Sequence, residues 1–181
     1  MAPVRGRFKL STSINGWVVL DPTSPLLVSR LIPGTTRKLR MRSDVLPLFL
    51  ALAAEYHRTI AKIDVGTLDD WGYSHRIANA STKWSDHSSG TAMDLNATAE
   101  GRQGTGPIVW WRTANRYLKA TALKKKFAVV IWGGAKGLGG DYNLGQYTDS
   151  MHWAVAPTAN LTRVKAQIVK MRINPDGTIR P

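Results

Sequence analysis

The histidines and aspartates of two short segments, residues 85–96 and 148–155, are hard to explain as scaffolding. The first segment contains His87 and Asp94, and the second contains Asp149 and His152. Imidazole nitrogens and carboxylate oxygens bind Zn²⁺ at about 2.0–2.2 Å, and a catalytic zinc site keeps a fourth position open beside three protein ligands. Because the chain has no cysteine, any metal site must use ligands of this kind. The two segments therefore favour the chemistry of an open zinc centre.

Each of these residues also has a structural explanation when it is taken alone. A single histidine near Ser and Asp is usually a hydrogen-bonded surface residue, and a single aspartate often caps a turn or the end of a strand. Taken together, however, four polar groups on buried strands would each carry a desolvation cost without partners. A shared metal removes that cost, so the joint pattern favours a metal site.

The pattern of residues 85–96 shows how His87 and Asp94 could meet. We predict a strand over residues 92–96, with Met93 and Leu95 facing the core and Ala92, Asp94 and Asn96 facing the other way. A fully extended connection would place His87 about 23 Å from Asp94, at roughly 3.3 Å per residue. The Ser88-Ser89-Gly90 sequence instead favours a turn that returns His87 over the sheet.

Residues 148–155 repeat this arrangement. Met151, Trp153 and Val155 are expected to face the core, which places His152 on the opposite face with Ala154. Asp149 lies just ahead of this strand, where it could reach the same space without joining the inner ligands. We therefore predict that His87, Asp94 and His152 bind the metal and that Asp149 lies beside it.

The remaining patterns predict an α+β fold. Residues 36–42 alternate between apolar and basic side chains, as in a half-buried strand, and the apolar run 127–132 predicts a buried one. Three helices are expected: one capped by Ser43 or Asp44 with Pro47 in its first turn, one from near Pro107 to Lys126, and one from Ala159 or Asn160 to about Met171. The residues expected to face inward are Val45, Phe49, Leu52, Ala53, Tyr56 and Ile60 in the first helix, and Trp110, Ala114, Tyr117, Leu118 and Thr121 in the second.

Length and charge narrow the class of protein. The 181 residues suit one domain, and 25 basic against 12 acidic side chains give a net charge of +13. Such a charge attracts polyanions, including nucleic acid, anionic membrane surfaces and acidic cell walls. No apolar run approaches the ~18–20 residues of a membrane span, and no apolar signal core follows Arg5. We therefore expect a product that starts in a cytoplasm without a signal peptide.

The spacing of the two segments resembles a known family. The string Ser85-x-His87-x-x-Gly90-x-Ala92-x-Asp94, followed by Asp149-x-x-His152-Trp153, is similar to that of the zinc D,D-carboxypeptidase and L-alanyl-D-glutamate peptidase family, whose fold is shared with the Hedgehog signalling domain. It is most similar to the peptidase domains of phage endolysins. The resemblance covers about residues 36–156. It departs from the usual pattern in the aromatic place taken by Trp153, and in a Gly-Gly-Asp-aromatic element split between residues 133–134 and 139–142.

The resemblance implies a small antiparallel sheet, with the zinc site on one face, packed by about three helices. It implies Zn²⁺ on His87, Asp94 and His152, Asp149 as general base, and Arg76 as a contact to substrate and oxyanion. For Arg76, a structural salt bridge is the alternative, and His75 is adjacent. The implied organisation is an extension over residues 1–35 packed on the domain, a peptidase domain over 36–174 and a tail over 175–181.

The function implied is that of a phage endolysin: a zinc peptidase that hydrolyses the stem peptide of bacterial peptidoglycan at the L-Ala–D-Glu bond. A D-Ala–D-Ala carboxypeptidase is the close alternative, since the same metal serves both reactions. A Hedgehog-like domain with a structural metal, and a non-catalytic basic module that binds wall polymer or nucleic acid, are the others. For the peptidase we expect a monomer that binds no nucleic acid and is held in the host cytoplasm until lysis releases it to the wall.

Overall fold

The computed structural model describes residues 11–63, 65, 68–79, 81–97, 115–134, 136, 139–141 and 149–181. Within these ranges the protein is an α+β fold with three α-helices and two small antiparallel sheets, which confirms the predicted class. The strands are β1 (Leu27–Leu31), β2 (Lys38–Arg42), β3 (Ala92–Asp94), β4 (Val130–Trp132) and β5 (His152–Val155). The helices are α1 (Leu46–Thr59), α2 (Arg116–Lys126) and α3 (Leu161–Lys170), with a 3₁₀ turn at Asp86–Ser89.

The sheet that bears the histidines has the strand order β3-β5-β4. Its central strand β5 pairs antiparallel with both neighbours, so that His152 lies opposite Asp94 and Val155 opposite Val130. The second sheet pairs β1 with β2, and the alternation predicted for residues 36–42 is confirmed because Leu39 and Met41 are buried. On the core side of the first sheet, the rings of Trp132 and Trp153 stack at 5.8 Å.

Helix α1 forms the centre of the hydrophobic core, and its predicted stripe is confirmed. Val45, Phe49, Leu52, Ala53, Tyr56 and Ile60 are all buried. The predicted cap is wrong: the N-cap is Val45, with no side-chain hydrogen bond. Asp44 instead accepts from Arg42 Nε at 2.7 Å, so this carboxylate forms an ion pair with the end of β2.

Helix α2 begins later than predicted. Asn115 has a left-handed backbone with φ of 51°, so the helix cannot continue back through it and starts at Arg116. The residues that α2 buries are Ala120 and Leu123, whereas Leu118 is 56% exposed, so the inward orientation predicted for Leu118 is wrong. Trp110 and Ala114 lie outside the described residues.

The last helix follows the sequence prediction closely. Asn160 is the N-cap of α3, and its side-chain oxygen accepts from the Arg163 N–H at 3.0 Å. A turn follows this helix and closes where the Gly177 N–H donates to the Asn174 carbonyl at 2.9 Å. None of the helices in the described ranges is long and apolar enough to cross a bilayer.

Candidate metal centre

The fold brings together the three predicted ligands, His87, Asp94 and His152. The Nδ1 atom of His152 lies 2.9 Å from Asp94 Oδ1, and His87 Nε2 lies 3.3 Å from both Asp94 Oδ2 and His152 Nδ1. All three residues are buried: His87 is 2% exposed, Asp94 3% and His152 7%. Bonds of about 2.0–2.1 Å in a tetrahedral arrangement place ligand atoms about 3.3 Å apart. The cluster therefore fits a metal ion by distance, by burial and by ligand type.

The strand register positions two of the ligands. Asp94 and His152 are directly opposite each other in the β3–β5 pair, and directly opposite residues project from the same face of a sheet. Met93, Trp153 and Val155 point to the core, as predicted. Two neighbouring predictions are wrong. Met151 precedes β5 and lines the cavity beside the cluster, and Asn96 leaves the strand with φ of 51°, which brings its Nδ2 to 3.5 Å from the Tyr56 hydroxyl.

The third ligand is positioned by the predicted turn. His87 lies in the 3₁₀ turn Asp86–Ser89, and its N–H donates to Ser85 Oγ at 3.3 Å. The turn ends at Gly90 with φ of 67°, where an added Cβ would lie 2.7 Å from the Arg42 nitrogen. A left-handed backbone so close to another strand requires glycine, which explains the Ser-Ser-Gly sequence after His87.

The ring of His87 is oriented by a main-chain carbonyl. Its Nδ1 lies 2.5 Å from the Gly72 oxygen. A carbonyl can only accept, so Nδ1 carries the proton and donates, and the lone pair of Nε2 faces the cluster. Such an outer contact fixes the tautomer of a metal-binding histidine and its direction. Gly72 was not among the residues found from the sequence.

The charges of the cluster depend strongly on one another. Burial raises the pKa of the Asp94 carboxyl, but His87 and His152 outweigh it and hold that pKa well below its usual range. Burial lowers the pKa of His152, but its hydrogen bond to Asp94 and the nearby carboxylates outweigh this and raise it to about 9. In the metal-free protein at neutral pH, a proton therefore provides the positive charge beside Asp94.

Asp149 lies next to the cluster and lines the same cavity. Its N–H donates to the Gly133 carbonyl at 2.8 Å, and its own carbonyl accepts from the His152 N–H at 2.8 Å. A Cβ on Gly133 would overlap the Asp149 carbonyl oxygen. The glycine therefore allows the close approach of main chains that holds Asp149 beside His152.

Arg76 also lines this cavity, whereas the adjacent His75 does not. The Arg76 N–H donates to Ser88 Oγ at 2.9 Å, which ties this residue to the turn that carries His87. Among the described residues its guanidinium forms no ion pair, and its Nη1 lies 3.5 Å from the Ile77 carbonyl. His75 packs against Trp84, with ring centroids 4.6 Å apart.

Comparisons with other proteins identify no relative: no family model, no curated protein and no solved structure matches the chain.

The cavity has a volume of about 220 Å³ and contains a further carboxylate that the sequence did not reveal as part of the site. Asp86 is buried, and its Oδ1 accepts from the Asn15 N–H at 2.8 Å. Burial raises the pKa of Asp86, although this hydrogen bond and the two imidazoles oppose the shift. Its position directly before His87 was the only signal available.

The N-terminal segment supplies another part of the site that the sequence did not predict. Ile14 lines the cavity and is half exposed. The side chain of Asn15 donates to Thr91 Oγ1 at 2.8 Å and to the Val155 carbonyl at 3.1 Å. Asn15-Gly16 is recognisable as a turn, but nothing in the sequence links that turn to residues some 70 and 140 positions later. This part of the predicted extension thus supports both halves of the centre.

Proposed function

We propose that the protein is a zinc-dependent peptidoglycan peptidase, an endolysin that hydrolyses the stem peptide at its L-Ala–D-Glu bond. The observation that carries the proposal is the buried group of His87, Asp94 and His152, which has the ligand set of an open zinc site and borders a cavity with Asp149 and Arg76. The spacing of these residues in the sequence also resembles the zinc D,D-carboxypeptidase and L-alanyl-D-glutamate peptidase family.

The proposed roles follow from the chemistry of each side chain. Zinc, when bound, polarises the scissile carbonyl and lowers the pKa of a water toward about 7. Two neutral imidazoles and one carboxylate leave the centre with a charge of about +1, which suits a developing oxyanion. Asp149 accepts the proton of the attacking water and passes it to the leaving amine, as a carboxylate within hydrogen-bond reach can do.

Arg76 is proposed to bind the substrate. Its guanidinium is planar and always charged, and it can donate two parallel hydrogen bonds to a carboxylate. Stem peptides carry several carboxylates, so an arginine at the cavity provides both affinity and orientation. The net charge of +13 adds a long-range attraction to the acidic wall that should weaken with added salt.

A D-Ala–D-Ala carboxypeptidase is the second candidate, since the same metal serves both reactions, and the presence of Arg76 at the cavity favours it. A guanidinium at this position suits the terminal carboxylate of a short substrate. The two activities differ in their products, because the endopeptidase creates a new amino-terminal D-Glu and the carboxypeptidase releases free D-Ala.

The test uses the full chain and purified peptidoglycan, with and without a chelator, and identifies the new termini by mass spectrometry. We expect one zinc per chain, a new D-Glu amino terminus and loss of cleavage with chelator. Asp149→Asn should retain zinc and lose hydrolysis, whereas the exposed Asp176→Asn is the matched control that should lose neither. Release of D-Ala alone would favour the second candidate. A protein that binds no zinc and cuts no wall would refute the proposal and leave a basic binding module.

A further inference from the structure

Trp71 is held at the outer edge of the sheet that carries the metal ligands. Its N–H donates to the Asp94 carbonyl at 2.9 Å, and the Asp94 N–H donates to the Trp71 carbonyl at 2.8 Å. Among the described residues, the strand order β3-β5-β4 leaves one edge of β3 without a strand, and Trp71 pairs with Asp94 along that edge in an isolated antiparallel bridge. Directly opposite residues share a face. Trp71, Asp94 and His152 therefore form one row across the face that carries the metal site.

The exposure of this indole is unusual for the protein. Trp71 is 51% exposed, whereas Trp132 and Trp153 in the same sheet region are 1% and 0% exposed. Its main chain is fixed on both sides, by Asp94 on one and by the neighbouring Gly72, whose carbonyl accepts from His87 Nδ1, on the other. A large apolar ring presented from a fixed backbone beside a site is typical of a binding residue, because its burial by a ligand is favourable and costs little conformational entropy.

The distance from Trp71 to the proposed metal ligands determines which part of the substrate the indole ring can contact. Directly opposite residues have Cα atoms about 5.5 Å apart in a pair that exchanges both hydrogen bonds, and neighbouring strands are spaced by about 4.8 Å. The Cα atom of Trp71 thus lies roughly 5–10 Å from the Cα atoms of Asp94 and His152. In a glycan-linked stem peptide, one alanine and a lactyl group separate the scissile carbonyl from the sugar ring, about 7 Å at the extended spacing of the chain.

We propose that Trp71 stacks on the pyranose ring that carries the stem peptide, and so binds the glycan on the amino-terminal side of the scissile bond; this inference rests on the proposed function. The alanine and the D-glutamate at the scissile bond have no large apolar side chain. The C–H face of the sugar is the flat, partly apolar surface at this distance, and it packs on an indole through dispersion and weak C–H contacts.

The experiment compares two substrates, a disaccharide-linked stem peptide and the same peptide without the sugar. Trp71→Ala should raise KM for the glycan-linked substrate about tenfold, equivalent to about 1.4 kcal/mol, with kcat, zinc content and the free-peptide kinetics unchanged. Trp71→Phe should recover part of the loss. Val169→Ala, at a 77% exposed position on α3, is the control and should change nothing. Equal effects of Trp71→Ala on both substrates, or no effect on either, would overturn the inference.

A binding measurement separates this inference from the proposed function. In the Asp149→Asn background, the affinity for the glycan-linked peptide is measured with and without Trp71→Ala. Loss of affinity with Trp71→Ala supports the stacking role even if the wild-type protein hydrolyses no wall, in which case only the proposed function fails. Hydrolysis by the wild type with unchanged affinity in the double variant refutes the role of Trp71 alone. Absence of both hydrolysis and binding refutes both.

Discussion

Zinc binding should expel a proton at neutral pH, because His152 must be neutral to bind a metal and is protonated in the metal-free protein. Its pKa is raised to about 9, against burial, by its hydrogen bond to Asp94 and the nearby carboxylates. A proton on His152 competes with zinc for the same nitrogen. Because pH 7 lies two units below this pKa, the competition lowers the apparent zinc affinity roughly a hundredfold. The affinity should rise about tenfold per pH unit between about pH 7 and 9 and then level off.

Calorimetry in two buffers of different protonation enthalpy measures this directly. We expect about one proton released from His152 per zinc at about pH 7 and almost none at about pH 10. His57→Gln, on α1 outside the cluster, should leave the count unchanged. Tight stoichiometric binding with no proton release at pH 7 would show that His152 is neutral in the free protein, and the charge arrangement derived above would then be wrong.

The same shift determines how the stability of the metal-free protein depends on pH. The folded pKa of His152, about 9, lies above its unfolded value of 6.5. The ion pair between His152 and Asp94 therefore stabilises the folded state fully below about pH 6.5, and this stabilisation is lost as the pH rises through about 9. The loss approaches about 3 kcal/mol in unfolding free energy. The urea midpoint of the metal-free protein, measured in chelator, should therefore decrease relative to that of the zinc-saturated protein as the pH is raised over this range. A constant difference between the two forms would contradict the assignment.

Three substitutions test the parts that position the centre. Asn15→Ala removes the two hydrogen bonds that the side-chain amide donates and the two that its oxygen accepts from Ser13 and Trp17, and it should lower the unfolding free energy by about 2–3 kcal/mol in urea titrations; a loss under half of that would mean that solvent replaces these bonds. Gly133→Ala should push the Asp149 main chain away, and we expect kcat to fall at least tenfold with zinc retained; normal turnover would show that Asp149 tolerates displacement. Arg76→Ala should lower kcat/KM by about ten- to a hundredfold without releasing metal, and unchanged kinetics would remove Arg76 from substrate binding.

The sequence predicted that His87, Asp94 and His152 come together, because their positions follow from local rules. Period-two alternation placed Asp94 and His152 on one face of their strands, and Ser-Ser-Gly after His87 marked the turn that returns it to the sheet. Local rules also predicted α1 from its apolar spacing and α3 from its Asn160 N-cap, although they misplaced the cap of α1.

The remaining features depend on contacts between distant parts of the chain. The Gly72 carbonyl orients His87, and Asn15 reaches Asp86, Thr91 and Val155, but no spacing pattern indicates these partners. The error at Leu118 came from extending a helical period back through Asn115, whose left-handed backbone shifts the start of α2. The error at Asn96 has the same cause, since a positive φ ends the strand that the alternation would continue.

The long reach of Asn15 has a consequence for how the molecule can be divided. Its hydrogen bond to the Val155 carbonyl joins residues 140 positions apart. A segment near the start of the described sequence is thereby bonded to the strand that carries His152. A shortened chain that begins at residue 36, the start of the domain that the resemblance implies, would lose the hydrogen bonds that Asn15 donates to the buried Asp86 carboxylate and to the Val155 carbonyl, and loss of a partner is costly for a buried acceptor. During synthesis this hydrogen bond can form only after residue 155 has emerged, so the centre is completed after the segments before residue 155 have been made.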